Sequence, residues 1–375
     1  MNKINSLFID KIFENLNNVN SPHKIDNGII IASTSYKDPD YFYHWTRDSA
    51  LIMKTIAKYY KETSNDKCFK QIIDYIEIEN HHQNLNSLSG LGEPKFNVTK
   101  INSIFNDIWG RPQNDGPALR GLTMCYIYTL LKDNMLYKTI IKNIIDKDLQ
   151  YILTNIDYES FDLWEEVYGF HLYTACVQMK FLKVYNELFY NNNDNDNDRI
   201  NSINNSINKL KDRIKKHNIT INSFNKNEPL NKKYDSSILL CINHIDYDLD
   251  IINIYSETFK NYIIEMCEYY KNYYSINKNN KFIFIGRYKN DKYYNGNPWI
   301  ITTTALIQLL VIYCSKNIYI IENQEKIILE FISYIFKFKD LDIAEQIDKE
   351  TGEQISAKNL TWNYSELYNL WELLL

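Results

Sequence analysis

The residues best suited to chemistry form the hexapeptide DLWEEV at 162–167. It contains Asp162, Trp164, Glu165 and Glu166. Two adjacent carboxylates repel each other, and burial of a carboxyl group against an indole disfavours its charged form. One of the two glutamates is therefore predicted to stay protonated near neutral pH. A protonated carboxyl beside an aromatic surface is what the general acid of glycosidic-bond cleavage requires.

A simpler interpretation is that these acids begin a helix. Apolar residues at helical spacing follow from about Gly169, and the first turn of a helix favours negative charge, because its N–H groups are free and its dipole is positive there. That interpretation explains one acid, but it does not explain an adjacent pair behind a tryptophan. We expect both glutamates on a loop at a helix N-terminus.

The same arrangement of a polar loop and an apolar helix recurs along the chain. The apolar helices are predicted to begin near residues 48, 117, 169, 236, 298 and 361. More amphipathic helices are predicted at 3–16, 69–83, 136–155, 199–217, 255–274 and 326–338. An apolar and an amphipathic helix repeated six times predict an all-α fold, a closed ring of helical hairpins whose inner helices all begin on one face.

Tryptophans concentrate in these loops. Five of the six lie in or beside a loop: Trp45, Trp109, Trp164, Trp299 and Trp362. Any one of them is explained by packing against the end of its own hairpin. Five on one rim, with Arg, Asp and Glu between them, predict a carbohydrate pocket, because a sugar ring has an apolar face and a fringe of hydroxyls.

Composition excludes several classes of function. The 375 residues are 45% hydrophobic, enough for a large core, and the net charge of -5 comes without a cluster of Lys and Arg, which argues against nucleic acid as a partner. The polar N-terminus is neither a signal peptide nor a membrane span, so the compartment stays open. Six scattered cysteines without a CxxC pair predict buried free thiols, and the seven histidines form no metal motif.

One domain is predicted over residues 1–375. The segment NNNDNDNDR at 191–199 has low complexity and is expected to be a flexible surface insertion.

Several long segments resemble the glucoamylase family of inverting glycoside hydrolases, and the resemblance covers the chain from about Gly28 to about Leu370. These segments are DPDYFYHWTRDSAL, GLGEPKFNV with WGRPQNDGPALR, FDLWEEVYG, GRYKNDKYYNGNPW and AEQIDKETGEQISAKNLTW. The resemblance implies an (α/α)6 barrel with a loop-built active site on one face. It also implies hydrolysis of α-glucans by two carboxylates and water, without a cofactor.

By that resemblance, Glu165 is the general acid and Glu345 the general base that activates water. An inverting pair stands roughly 6.5–9.5 Å apart to admit that water, so the ring must bring these distant residues together. By spacing alone, Glu345 is an ordinary solvated glutamate of a polar loop. The motif around it favours the base.

The resemblance also implies the residues that bind substrate. Gln346 and Tyr41 would hold the base and its water. Arg47 and Asp48 would grip the hydroxyls of the terminal glucose, although a simple capping ion pair also explains these two. The other positions provide aromatic walls or serve the neighbouring glucose and the acid: Trp45, Trp109, Trp164, Trp362, Glu166, Arg111 and Arg287. Asp115 and Asp162 are expected to be structural supports.

The sequence departs from the family near the expected pocket. His44 stands in place of a small hydroxyl residue, Ile347 in place of an aromatic one, and Tyr168, Phe170 and His171 in place of smaller polar residues. We expect these differences to affect binding of the second glucose. The region between the helix near 298 and Glu345 is also short for the family.

The resemblance thus implies an exo-acting hydrolase of glucoamylase type that releases β-glucose from the non-reducing ends of α-1,4-glucans. We expect a monomer without a starch-binding module, without a metal and without a nucleic-acid or membrane partner. Two alternatives stay open. One is hydrolysis of another α-glucoside, such as trehalose or isomaltose, and the other is an inactive barrel that serves as a regulatory sugar-binding module.

Overall fold

A computed structural model describes residues 3–17, 24–131, 134–190, 197–226, 228–230, 232–279 and 281–375. Helices dominate it. Their bounds are α1 Lys3–Asn17, α2 Thr46–Thr63, α3 Asp66–His82, α4 Asp115–Leu130, α5 Met135–Asn155, α6 Leu172–Phe189, α7 Asn197–His217, α8 Ser237–His244, α9 Glu257–Tyr273, α10 Ile300–Ser315, α11 Gln324–Ile335 and α12 Thr361–Leu373.

Short strands lie in the loops between the helices. Their bounds are β1 His44–Trp45, β2 Lys95–Phe96, β3 Ser160–Phe161, β4 Tyr168–His171, β5 Ser223–Asn225, β6 Glu228–Pro229, β7 Gln346–Ile347 and β8 Gln354–Ile355. All pair antiparallel, as β1 with β2, β3 to β6 in chain order, and β7 with β8. They are too short to form a core of their own, and they shape the loops that hold the candidate site.

The predicted alternation of helices is confirmed. The apolar helices α2, α4, α6, α8, α10 and α12 begin within three residues of their predicted starts, and the amphipathic ones match equally well at both ends. Side-chain caps fix several of the amphipathic starts. Asn65 accepts the N–H groups of Lys67 and Cys68 at the start of α3, and Ser256 accepts that of Phe259 at the start of α9.

The chain forms two compact units, and the first comprises Leu16–Ala32 and Tyr43–Leu230. Within it, α4 packs on both α2 and α6, and each of these helices packs on the amphipathic helix that follows it in the chain. A buried ion network ties α4 to its neighbours. Arg120 donates to both carboxylate oxygens of Asp148 (3.0 and 2.6 Å) and to Glu79 (3.1 Å).

The second unit comprises Met1–Asn15, Ser33–Phe42 and Asn231–Leu375. Here α10 packs on α8, α11 and α12. Glu366 of α12 is buried and accepts hydrogen bonds from His244 (2.9 Å) and Gln308 (3.0 Å). Asn15 joins α1 to the same helix through Thr361 (2.9 Å). Buried polar side chains thus fix the register of the helices in both units.

Two local expectations differ from the structure or lie partly outside it. Residues 168–171 form β4 where a helix start was expected. Of the low-complexity segment, 191–196 lie outside the described residues, and 197–199 begin α7.

The structure also bears on the cysteines and on membrane spans. The six cysteines are free, and all but the half-buried Cys314 are fully buried, as predicted. Among the described residues, no helix has both the length and the apolar character needed to cross a membrane.

Candidate active site

Glu165 lies at the tip of the β3–β4 hairpin in the first unit. Asp162 shapes this tip by accepting the N–H groups of Glu166 (2.8 Å) and Val167 (2.9 Å), while its own N–H donates to the Val167 carbonyl (3.0 Å). The backbone of Glu165 has a φ of 63°, in the left-handed region that non-glycine residues rarely adopt. The acids were expected at a helix N-terminus. They lie on a hairpin turn instead, because β4 continues into a sheet with β5.

Four side chains donate hydrogen bonds to the carboxylate of Glu165. Oε1 accepts from the indole of Trp45 (2.7 Å), from Gln113 (2.9 Å) and from Arg47 (3.4 Å), and Oε2 accepts from the indole of Trp109 (2.9 Å). The sequence predicted contact with the flat face of an indole. The structure presents the N–H edges of two indoles, which orient the carboxylate as well as cover it.

Arg47 organises the acidic side of this cluster. Its NH1 nitrogen donates to Gln113 (2.9 Å) and to Asp115 (3.0 Å), and its Nε lies 3.4 Å from Oδ2 of Asp48. Arg47, Asp48 and Asp115 are all buried. Burial raises the pKa of Asp48 to about 6, against the lowering effect of the Arg47 charge.

Arg47 and Asp48 form a loose ion pair. Nε of Arg47 and Oδ2 of Asp48 are buried 3.4 Å apart, and neither atom makes a hydrogen bond with another described residue. A fixed donor beside a fixed acceptor suits a pair of sugar hydroxyls, each of which both donates and accepts. Asp115 is fully buried and supports Arg47, as expected.

Arg111 holds the loop that carries Trp109. It donates to the buried Glu93 (2.9 Å) and to the carbonyls of Asp107 (2.9 Å) and Phe105 (3.2 Å). The structure therefore gives this side chain partners in its own loop, whereas the resemblance implied a role toward the acid and the second glucose.

Lys95 is a residue of this cluster that the sequence analysis did not single out. Its side chain is only 1% exposed. The ammonium lies over the rings of Trp109 (3.3 Å to the ring centre), Tyr43 (4.2 Å), Phe105 (4.2 Å) and Trp45 (4.6 Å). We call these four rings the aromatic cage.

Glu166 and Trp164 flank Glu165 in opposite environments. Glu166 is exposed, and Trp164 is 6% exposed and belongs to the core. Tyr168, one of the departures from the family, is 44% exposed near the same tip. Two other departures are buried in structural contacts: His44 bonds Glu79 (2.7 Å), and His171 bonds Ser223 (2.8 Å).

Glu345 lies in the second unit, directly before β7, and is 1% exposed. Its Oε2 accepts from Ser356 (2.6 Å) and Gln346 (2.9 Å), and the hydroxyl of Tyr41 also hydrogen-bonds the carboxyl group. Burial raises the pKa of Glu345 to about 7, and these hydrogen bonds oppose the rise. Oε1 of Gln346 is buried without a partner among the described residues, so it can accept a hydrogen bond from a bound water.

Aromatic and charged residues surround Tyr41 in the same unit. Its hydroxyl lies 2.9 Å from that of Tyr293. Arg287 binds both oxygens of Asp291 (2.8 and 2.7 Å) and lies 4.9 Å from the ring centre of Tyr293 and 5.3 Å from that of Trp299. Arg287 is thus oriented by a bidentate ion pair and by stacking.

Trp362 is placed differently from the other predicted tryptophans. Its indole N–H donates to Glu366 (2.9 Å), inside the buried network of α12. The side chain is 5% exposed. The indole N–H is already bonded, so a direct contact to a sugar would use the ring.

The sequence analysis missed four polar residues of these clusters: Lys95, Gln113, Tyr293 and Ser356. All four lie inside the quoted segments. None belongs to a charged pair or a catalytic motif of its own, so the segments containing them were the only available signal.

One group of side chains has the composition of a metal site. His44, Glu79 and His82 are buried with their ligand atoms within 4.8 Å of one another. The N–H of Ile30 donates to Nδ1 of His44 (3.0 Å), so the proton of this ring is on Nε2, which donates to Glu79. A histidine that binds a metal through Nε2 carries its proton on Nδ1, and Arg120 already holds the second oxygen of Glu79. We interpret the group as structural.

The chain and its structure resemble known glucoamylases. The chain is 28% identical to the intracellular sporulation-specific glucoamylase of Saccharomyces cerevisiae, over 97% of this chain and 82% of that protein. The structure matches the glucoamylase of Hormoconis resinae with a TM-score of 0.82 at 24% identity, over 98% of this chain and 72% of that one. It matches the glucoamylase of Saccharomycopsis fibuligera with a TM-score of 0.81 at 23% identity, over 99% of this chain and 94% of that one.

These likenesses show the fold, which is the (α/α)6 barrel of the glucoamylases, as the sequence predicted. The model of the family described as glycosyl hydrolases family 15 matches residues 10–371. That match spans nearly the whole chain and both candidate carboxylates. The chain therefore belongs to glycosyl hydrolases family 15.

Proposed function

We propose that this protein is an exo-acting glucan 1,4-α-glucosidase, which releases β-glucose from the non-reducing ends of α-1,4-linked glucans. The relatives and solved structures that it resembles over almost its whole length are named glucoamylases. One observation in the chain itself carries the proposal. In this chain, which belongs to a family of glycosyl hydrolases, Glu165 accepts hydrogen bonds from four N–H donors. One of these donors, Arg47, also pairs with Asp48.

Glu165 is the proposed general acid. Oε1 accepts three hydrogen bonds and Oε2 only one, so Oε2 has room for the catalytic proton. The indole N–H of Trp109 fixes the direction in which Oε2 faces. In the reaction, this proton passes to the glycosidic oxygen while the bond from that oxygen to C1 breaks.

Glu345 is the proposed general base. A carboxylate that is buried and held by Ser356, Gln346 and Tyr41 has a fixed orientation. It would take a proton from a water molecule, for which the free Oε1 of Gln346 offers an additional acceptor. The water oxygen then bonds C1 on the face opposite the leaving group, so an α-linkage gives β-glucose and each carboxyl group has exchanged one proton.

Substrate binding is proposed for the groups that have been described around these acids. Arg47 and Asp48 would bind the hydroxyls of the terminal glucose, and the aromatic side chains would cover its apolar faces. The substrate is uncharged, which fits a chain with spread charges and a net charge of -5.

The test is glucose release from maltotriose by Glu165→Gln and Glu345→Gln. Each variant is expected to lose at least about 100-fold in kcat, because each lacks a proton donor or acceptor. Glu353→Gln is the matched control, since Glu353 is an exposed glutamate of the β7–β8 loop. Unchanged kcat in either test variant would contradict the mechanism.

Proton NMR of the first product tests stereochemistry, and β-glucose is expected. A parallel panel of maltose, isomaltose and trehalose tests the linkage. Faster hydrolysis of trehalose or isomaltose than of maltose would replace the α-1,4-glucan assignment with the other α-glucoside.

A further inference from the structure

Lys95 is a charged side chain almost completely removed from water, and the reaction proposed above gives it no role. The aromatic cage of Tyr43, Trp45, Phe105 and Trp109 surrounds its ammonium at 3.3–4.6 Å from the ring centres. Cation–π attraction is strongest where the cation is desolvated. At 1% exposure, Lys95 meets this condition.

Two walls of the aromatic cage are also the donors that hold Glu165. Trp45 gives its N–H to Oε1 (2.7 Å) and Trp109 gives its N–H to Oε2 (2.9 Å), while both present their ring faces to the ammonium of Lys95. Each indole therefore lies between a cation on its face and a carboxylate at its N–H edge. A cation over the ring draws electron density from it and makes the N–H a stronger donor.

The backbone fixes this arrangement. Strand pairing sets Lys95 directly opposite Trp45. The rings of the aromatic cage also touch one another edge to face, with centres 6.1 Å apart for Trp45 and Trp109, 6.0 Å for Phe105 and Trp109, and 5.2 Å for Tyr43 and Phe105. The ammonium fills the space that these rings enclose.

We propose that Lys95 is a positioning residue for the general acid: its ammonium holds the indoles of Trp45 and Trp109 in the orientation that directs their N–H groups to the two oxygens of Glu165. This inference rests on the proposed function. It predicts that loss of the Lys95 charge impairs proton donation to the leaving group more than it impairs substrate binding or water attack.

A purely space-filling role predicts something different. Methionine has nearly the length and volume of lysine without its charge, so Lys95→Met would then be harmless or would lower the activity on every substrate alike. The two roles separate when substrates differ in their need for an acid. Maltotriose has a sugar leaving group that must be protonated, whereas fluoride leaves from α-glucosyl fluoride with little proton donation.

The experiment compares kcat for maltotriose and for α-glucosyl fluoride in wild type, Lys95→Met, Lys95→Arg and Glu165→Gln. We expect Lys95→Met to lose at least about tenfold on maltotriose and to stay within about threefold on the fluoride. Lys95→Arg, which also stacks on aromatic faces, should restore the ratio of the two rates to within about threefold of wild type. Should Lys95→Met not fold, Lys95→Gln takes its place with the same expected ratio.

Lys142→Met is the matched control, because Lys142 of α5 also lies over aromatic rings, those of Tyr185 (5.3 Å) and Phe189 (4.5 Å). It should leave the ratio unchanged. If Lys95→Met loses kcat equally on both substrates, or on neither, the proposed role of Lys95 is overturned. If Glu165→Gln then still loses kcat selectively on maltotriose, the assignment of Glu165 as the acid is kept. An unselective loss in Glu165→Gln would overturn both.

Discussion

Burial of Glu345 has an energetic consequence at the scale of a single residue. Its pKa rises from 4.5 to about 7 on folding. Between these values the folded chain binds a proton that the unfolded chain does not, so folding becomes less favourable as the pH rises through this window. The stability contributed by the protonated form is fully present below pH 4.5 and is lost as the pH passes 7.

Glu345→Gln should remove this pH dependence. The free energy of unfolding of the variant, relative to wild type, is expected to increase by about 3 kcal/mol between pH 4 and pH 8. Urea unfolding of both proteins at the two pH values measures the change, and Glu353→Gln, at an exposed site, should show none. If the difference in free energy of unfolding between variant and wild type is the same at pH 4 as at pH 8, the raised pKa of Glu345 is contradicted.

Individual residues also show where sequence reasoning stops. The segments around Glu165 and Glu345 identified both carboxyl groups as candidates, because each lies in a long family motif. Gln113 holds Glu165 from another loop, and Trp362 directs its N–H into the core. Such contacts depend on side-chain direction across the fold, which the linear order of residues does not encode.

Helix contacts decide stability at the scale of an element. Gly121 of α4 faces Phe181 of α6, and a Cβ atom at position 121 would lie 2.4 Å from the phenylalanine ring. Both residues belong to the first unit. Close approach of these two apolar helices therefore requires glycine at this position.

Gly121→Ala is expected to lower the free energy of unfolding by roughly 1–3 kcal/mol, because overpacking outweighs the better helix propensity of alanine. Phe181→Leu in the same chain should relieve the clash, so the double variant should be more stable than the sum of the single changes predicts. Gly116→Ala is the control on the same helix, since its Cβ would meet the side chain of Thr46 at 3.2 Å and the backbone nitrogen of Arg47 at 3.9 Å, without a contact as short as 2.4 Å. Additive effects in the double variant would contradict the direct contact.

The β3–β4 hairpin contains a strand that the sequence did not predict. Apolar residues at helical spacing from Phe170 onward indicated a helix that begins near Gly169. The backbone of 168–171 pairs with β3 and β5 instead, and β5 lies about fifty residues further along the chain. A local periodicity cannot reveal pairing over that distance, whereas it did predict the helix starts within three residues, including that of α6.

At the scale of the whole molecule, the order of helices was predictable because six apolar and six amphipathic segments alternate in the sequence. The side-chain packing within each unit was less predictable from the sequence. The buried Arg120–Asp148–Glu79 network joins three helices, and nothing in the local sequence of any of the three shows that these charges meet.

The molecule is held together without disulfides among its described residues, since all six cysteines are free. We expect the melting temperature in a reducing agent to equal that in its absence, within about 1 °C, because no covalent cross-link constrains the unfolded chain. Differential scanning calorimetry with and without dithiothreitol measures this. A lower melting temperature under reducing conditions would reveal a cross-link that contributes to stability.

The positive φ of Glu165 bears on how such a protein evolves or is engineered. Glycine would relax the backbone at that position and would also delete the carboxyl group. A laboratory screen that rewards heat resistance alone would therefore favour loss of Glu165, whereas under the proposed mechanism a screen that rewards sugar release would favour its retention.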